Sequence, residues 1–247
     1  MKLSKYLLAL TMSVSYQVQS EEDSELKIGL GGAFVTQDEG YKDVGSETQF
    51  VPAIAIEYGD FRLLGPFASY TFYRNESFEL SAIGMMRLDG YEQDDNDLFK
   101  GMEDRDMSFD LGLEAEFDTE FGEFAIKYSQ DASSTHKGYE ATLTYGAPFR
   151  FKKGQIKPYI AANFASKDLT DYYYGVKQSE ATAQRSFYEV DSATNLEVGI
   201  SSDWFFGQNH MIKADVSYMS FDTTIKDSPL VDKSGTFQLL LGYVYVF

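Results

Sequence analysis

Cysteine is absent from all 247 residues, so neither a disulfide framework nor thiolate chemistry is open to this chain. Basic residues are scarce: 21 Lys and Arg stand against 39 Asp and Glu, for a formal charge of -18 and a pI near 4.4. Phosphate binding needs clustered Lys and Arg, so nucleic acid is excluded as a partner. Such an acidic surface suits solubility or cation-bridged contact with anionic lipid. Past the first twenty residues nothing approaches the roughly 20 apolar residues of a spanning helix, and the mean hydropathy is -0.32. Yet there are 20 Phe and 18 Tyr. Aromatics in such number without helical spans point to a barrel.

The N-terminus reads as a secretory signal peptide over residues 1–20. Lys2 and Lys5 precede the apolar run Tyr6 to Val14, and Val18-Gln19-Ser20 ends in a small-residue cleavage site. An N-terminal membrane anchor is the poorer reading, because the run is about half the length of a spanning helix. Residues 21–247 then form one domain, with no linker or low-complexity tract dividing them.

Period-two alternation runs along that domain. At the C-terminus Phe237, Leu239, Leu241, Tyr243, Tyr245 and Phe247 share one face, and Gln238, Leu240, Gly242, Val244 and Val246 share the other. Met107, Phe109, Leu111, Leu113, Ala115 and Phe117 alternate with Ser108, Asp110, Gly112, Glu114 and Glu116 in the same way. The polar faces mix charge with Gly, Ala, Ser and Thr, as a confined lumen requires; a soluble sandwich would present that face to bulk water. The fold expected is all-β, a transmembrane antiparallel β-barrel in the outer membrane of a Gram-negative bacterium.

Eleven candidate strands can be counted: 26–36, 49–58, 61–73, 77–88, 106–117, 123–131, 138–149, 155–165, 194–206, 210–221 and 236–247. Barrels of this type have an even count, so twelve strands are expected, with ten as the alternative. The missing crossing is placed in 89–105, which lacks clean alternation and reads as a hidden short strand or a segment folded into the lumen. Short connections at 118–122, 152–155 and 207–209 belong to the periplasmic side, and long ones at 131–137, 166–193 and 222–235 to the outside.

The lumen-facing charges expected from this phase are Asp110, Glu114, Glu116, Glu140, Glu197, Asp203 and Asp215, with Lys127, Lys157 and Lys213. They form either a paired network filling a narrow barrel or the lining of a small cation-preferring pore. Catalytic candidates are thin. His136 lies in "DASSTHKG" near Ser133, Ser134 and Asp131, but such residues also make any solvated turn, and a triad is identified by geometry rather than adjacency. His210 reads as the start of a strand at the membrane interface. The acidic run Asp94, Asp95, Asp97, Glu103, Asp104 and Asp106 lacks the order of a calcium loop and reads as solvated. No catalytic residue, metal or cofactor is expected.

Two loop stretches, "DYYYGVKQSEA" (171–181) and "IKDSPLVDKSG" (225–235), carry a resemblance. With the terminal Tyr245-Val246-Phe247 they resemble the MipA/OmpV family of outer-membrane proteins, the family of the MltA-interacting protein. The residues concerned are Tyr172, Tyr173, Tyr174, Gly175 and Val176 in the first loop and Asp227, Ser228 and Pro229 in the second. "VPAIAIEYGDFRLLG" (51–65) and "LFKGMEDR" (98–105) echo the family more weakly. The resemblance implies a non-enzymatic barrel that docks peptidoglycan-synthesis or remodelling enzymes, a lytic transglycosylase and a penicillin-binding protein. The alternatives are a small-solute channel or an adhesin acting through its outer loops.

From the residues alone, the three tyrosines fit an interfacial girdle or loop packing, or else a segment that Gly175 turns back over the lumen. Tyr243, Tyr245 and Phe247 read as a sorting signal for barrel-assembly machinery. Outer-membrane lipid and lipopolysaccharide are the remaining partners expected.

Overall fold

A computed structural model describes residues 25–38 and 40–247; the expected signal peptide lies outside the described residues. The strands are β1 (Lys27–Asp38), β2 (Ser46–Tyr58), β3 (Phe61–Leu64), β4 (Phe67–Arg74), β5 (Phe78–Arg87), β6 (Ser108–Thr119), β7 (Gly122–Asp131), β8 (Tyr139–Gly146), β9 (Phe149–Phe151), β10 (Gly154–Ala165), β11 (Ala193–Phe206), β12 (His210–Ser220) and β13 (Gly235–Val246). Each pairs antiparallel with its neighbours, and β1 pairs with β13 from Gly29↔Val246 to Gln37↔Gln238, which closes the sheet. β8 and β9 are one crossing interrupted at Ala147-Pro148. Pro158 on β10 faces the interruption, and Ala147 N–H still reaches the Pro158 carbonyl at 3.0 Å. Pro158 cannot donate back to Ala147 and Pro148 at the next position has no N–H either, so the pairing is weakened on adjacent positions and the strand breaks there. The result is a closed twelve-stranded antiparallel barrel.

The expected count is right and the expected location of the missing strand is not. The stretch 61–73 is two strands, β3 and β4, joined by the tight turn Gly65-Pro66. Gly65 takes a φ of +56°, a conformation open to glycine at little cost. Segment 89–105 contributes no wall strand: it holds a 3-10 turn at Asp97–Phe99 and a single bridge, Tyr91↔Arg105. Its lack of alternation reflects a folded outer loop.

Alternation sets the two faces of the wall as expected. Leu30, Phe34, Phe50, Ile54, Leu111, Leu113, Leu143, Ile160, Leu196 and Leu241 are among the large apolar side chains left exposed on the outer surface. A contiguous apolar belt of this kind is the lipid-facing surface of a spanning barrel. The short turns, including 59–60, 120–121, 152–153 and 207–209, gather with both ends of the sheet at the inner rim. Loops 88–107, 132–138, 166–192 and 221–234 gather at the outer end.

Candidate functional site

The outer loops fold into a cap with its own core. Tyr41, Tyr91, Phe99, Met102, Val176, Val190, Phe221, Ile225 and Leu230 are buried together, with Tyr91 and Phe99 stacked at 3.9 Å between ring centroids. Helix α1 (Lys167–Tyr174) lies in this cap and carries the tyrosine run. The tyrosines are therefore not a lipid girdle. Tyr173 is buried against Ala165 and Leu169, Tyr174 packs on Tyr41 and Phe221, and the Tyr172 hydroxyl accepts from Asp106 N–H at 2.8 Å.

Gly175 ends the helix with an ordinary φ of -78°, so left-handed freedom is not its role. A Cβ there would collide with the carbonyl and Oδ1 of Asp171, whose Oδ1 also accepts from Val190 N–H at 2.8 Å. Val176 is buried and bridges to Tyr188.

The second motif loop meets the first. After the short helix α2 (Thr223–Lys226), which Asp227 terminates, the buried Ser228 hydroxyl donates to the Tyr174 carbonyl at 2.6 Å and accepts from Leu230 N–H at 3.2 Å, with Pro229 half-buried between them. Arg105 completes the cap. Its guanidinium donates to both Glu180 oxygens at 3.0 and 3.1 Å and to the Tyr172 carbonyl at 2.6 Å. Burial alone would raise the Glu180 carboxyl. Backbone N–H groups of Glu103 and Lys177, with Arg105, outweigh burial and hold it below the usual carboxylate range.

Beneath the cap the ten expected lumen charges all face inward, and most are paired. Arg87, which composition does not single out, is the hub. It lies 3.0 Å from Asp110 and 3.5 Å from Glu140, while Lys127 reaches Glu140 at 4.0 Å. Asp89, just past the end of β5, joins Arg87 at 3.4 Å, and burial pushes its carboxyl up to about 6 against the lowering pull of Arg87. Lower down, Lys213 pairs with Asp203 at 3.0 Å and Lys157 with Glu123 at 3.1 Å. Tyr159 donates to Glu197 at 3.0 Å and to Asp215 at 3.4 Å. Glu114 and Glu116 line the inner vestibule with Glu57, Glu79 and Arg62.

The Ser/His/Asp set does not assemble. Ser133 donates to Asp131, but the His136 ring is buried and presents Nε2 to Asp110, correcting the solvated-turn reading for that residue. Its Nδ1 accepts from Gly138 N–H at 3.0 Å, which leaves the proton on Nε2, 3.4 Å from Asp110. The same tautomer argues against metal at Asp110, Asp131 and His136, the one such group found among the described residues. An Nε2 that carries a proton has no lone pair to offer, and Asp131 is occupied by the backbone N–H groups of Ser133, His136 and Lys137. In the acidic run, Asp97 pairs with Lys100, and Asp104 accepts from Gln93 N–H, so these groups serve the loop itself.

A family model described as MltA-interacting protein MipA matches residues 28–247. Outer membrane protein OmpV of Vibrio cholerae is 29% identical over 152 residues, 62% of this chain and 58% of that protein. Omp26La of Vibrio anguillarum is 28% identical with the same coverage, so the match spans 58% of the length of both relatives. The MltA-interacting protein of Escherichia coli K12 is 23% identical over 230 residues, 91% of this chain and 92% of that one. Among solved structures, the translocator domain of the autotransporter NalP from Neisseria meningitidis superposes with a TM-score of 0.47 at 12% identity, covering 91% of this chain and 89% of that chain. OmpV and Omp26La are named outer membrane proteins, and this barrel is an outer-membrane protein.

Proposed function

This chain belongs to the family of the MltA-interacting protein MipA, and from that membership we propose that it is a non-enzymatic scaffold holding a peptidoglycan-remodelling enzyme at its inner rim. The observation that carries the reading is the cap. With Tyr91, Phe99, Ile225 and Leu230 packed across the outer mouth, the barrel is built to be closed rather than to pass solutes from outside. Its inner rim offers the turns 118–122, 152–155 and 207–209 on the peptidoglycan side. A relative carries the name MltA-interacting protein, and a lytic transglycosylase with a penicillin-binding protein is the partner class that the family resemblance implies. Photo-crosslinkers placed in those three turns should trap a periplasmic cell-wall enzyme. Adducts to lipid and assembly factors alone would defeat the reading.

A small cation-preferring channel is the second reading, favoured by the register of the inner vestibule. Glu79 sits directly opposite Glu116 on the β5–β6 ladder, an acidic pairing that draws cations inward.

A further inference from the structure

The β3–β4 hairpin is too short to complete the wall beside it. β3 joins β2 only from Ala55↔Leu64 to Tyr58↔Phe61, and Gly65 N–H to the Ile54 carbonyl, at 3.0 Å, closes that ladder at the turn. On the far side, Met86 N–H donates to the Pro66 carbonyl at 3.0 Å, and β5 ends at Arg87. β2 nevertheless runs on past the turn, from Ala53 back to Ser46, beside β1. In the outer half of the barrel, the described residues therefore leave two strand positions between β2 and β5 out of the sheet. Pro52 lies in this stretch, and a proline within a strand belongs at a sheet edge.

Behind the opening is an apolar pocket lined by Ala33, Val35, Val51, Ala53, Leu64 and Leu240, with Gly65-Pro66 as its sill. The rest of the lumen is crowded with carboxylates and amines. Lys213 is the one charged side chain lining this pocket, and it is engaged by Asp203 at 3.0 Å. An apolar cavity gives water no partners and takes hydrocarbon instead. Leu88 packs with Val35, Val51 and Leu240 on the outer side, under the cap. The sill stands midway along β2, so the opening looks into bilayer hydrocarbon rather than into either aqueous space.

We propose that this pocket receives one acyl chain of an outer-leaflet lipid, which passes sideways over the Gly65-Pro66 sill while its head group stays at the membrane surface. An apolar guest has no open aqueous route from outside, because the cap covers that end. The hydrocarbon abundant at the sill is the lipid chain itself. Nothing among the pocket's lining residues offers a free charge to a head group, so the chain alone enters. Ala33, Ala53 and Gly242 keep the space behind the sill clear of bulky side chains.

The test uses the full barrel in phosphatidylcholine vesicles brominated on the acyl chains, with Trp204→Phe removing the native indole. A tryptophan reporter at Val51, on the lumen face, should lose emission as strongly as one at Ile54, on the lipid face of the same strand. A reporter at Asn163, inside the opposite wall, should be spared. Adding Ala33→Phe and Gly242→Phe should protect the Val51 reporter, with heat-modifiable gel migration confirming that each variant is folded. Equal sparing of the Val51 and Asn163 reporters would overturn the proposal. Quenching by added brominated fatty acid but not by brominated phospholipid would overturn the lipid as source.

Discussion

Arg105 and Glu180 stand 75 positions apart in sequence, and their side chains meet at 3.0 Å with each only 2% exposed. The pair ties loop 88–107 to the loop after α1, and the Arg105 guanidinium also sits 5.6 Å from the ring centroids of Tyr91 and Tyr172. Removing one partner of a buried ion pair leaves the other charge uncompensated, at a cost of about 3–5 kcal/mol. Glu180→Gln should therefore loosen the cap while the wall stays folded. Because the folded Glu180 carboxyl lies below its unfolded value of 4.5, its contribution is present above that pH and is lost as pH falls through the folded value. Limited trypsinolysis at Arg105, Lys177 and Arg185 should be faster in the variant at neutral pH, with intact wall strands. Unchanged cleavage would remove the pair from the cap's stability.

Asp89 should act in the opposite sense. Burial raises its carboxyl from 3.8 to about 6, so between those values the folded protein holds a proton that the unfolded chain has released. Its contribution to stability is then greatest in acid and declines as pH rises from about 4 to about 6. Asp89→Asn, which keeps the shape and cannot ionise, should flatten that part of the stability profile and leave the barrel more stable at pH 7. Thermal unfolding followed by gel migration at pH 5 and pH 7 checks this. An equal pH dependence in both proteins would show that the Arg87 pairing cancels the effect of burial.

Phe99 is the centre of the cap, stacked on Tyr91 and edge-on to Tyr41. Phe99→Ala removes a fully buried ring, at a cost of about 3–5 kcal/mol. Folded wild-type protein in planar bilayers should be silent. The variant should show intermittent conductance, cation-preferring because of Glu57, Glu79, Glu114 and Glu116 in the inner vestibule. Steady conductance from the wild type would favour the channel over the scaffold.

What could be read in advance was whatever repeats with period two. The two faces of β6, β11 and β13, and the inward positions of Asp110, Glu140 and Lys213, follow from alternation alone, because one residue of slip would turn every carboxylate out to lipid. Arg87 was legible by the same rule, in phase with Ser81, Ile83 and Met85 within the expected strand 77–88. The β3–β4 turn was not. Phe61 to Tyr73 reads as one continuous apolar and aromatic run, and only Gly65-Pro66 marks the reversal. The cap was least legible of all. Contacts such as Arg105–Glu180 and Ser228–Tyr174 join distant loops, where no periodic pattern links the partners. The tyrosine run admitted both a girdle and loop packing because a tyrosine at a strand end looks the same whether lipid or a loop covers it.

The terminal strand separates two roles that adjacent residues play. Tyr243 and Tyr245 face outward and hold His210: Tyr243 Oη lies 2.8 Å from His210 Nδ1, and Tyr245 meets the imidazole edge-on at 5.1 Å and Phe247 at the same centroid distance. Val244 and Val246 point inward, Val244 being buried in the lumen. Before closure against β1, this strand carries free edge groups and an aromatic outer row, the features an assembly factor can pair with and read. Replacing Tyr245 and Phe247 by Ser should lower outer-membrane yield far more than replacing Val244 and Val246 by Ser. The inward pair matters only once the barrel has closed and its interior is packed. Membrane fractionation compared with thermal stability of whatever protein inserts will separate the two effects: the aromatic variant should be scarce but normally stable, and the valine variant abundant but less stable. Equal yields from both would show that the outward row is not read during assembly.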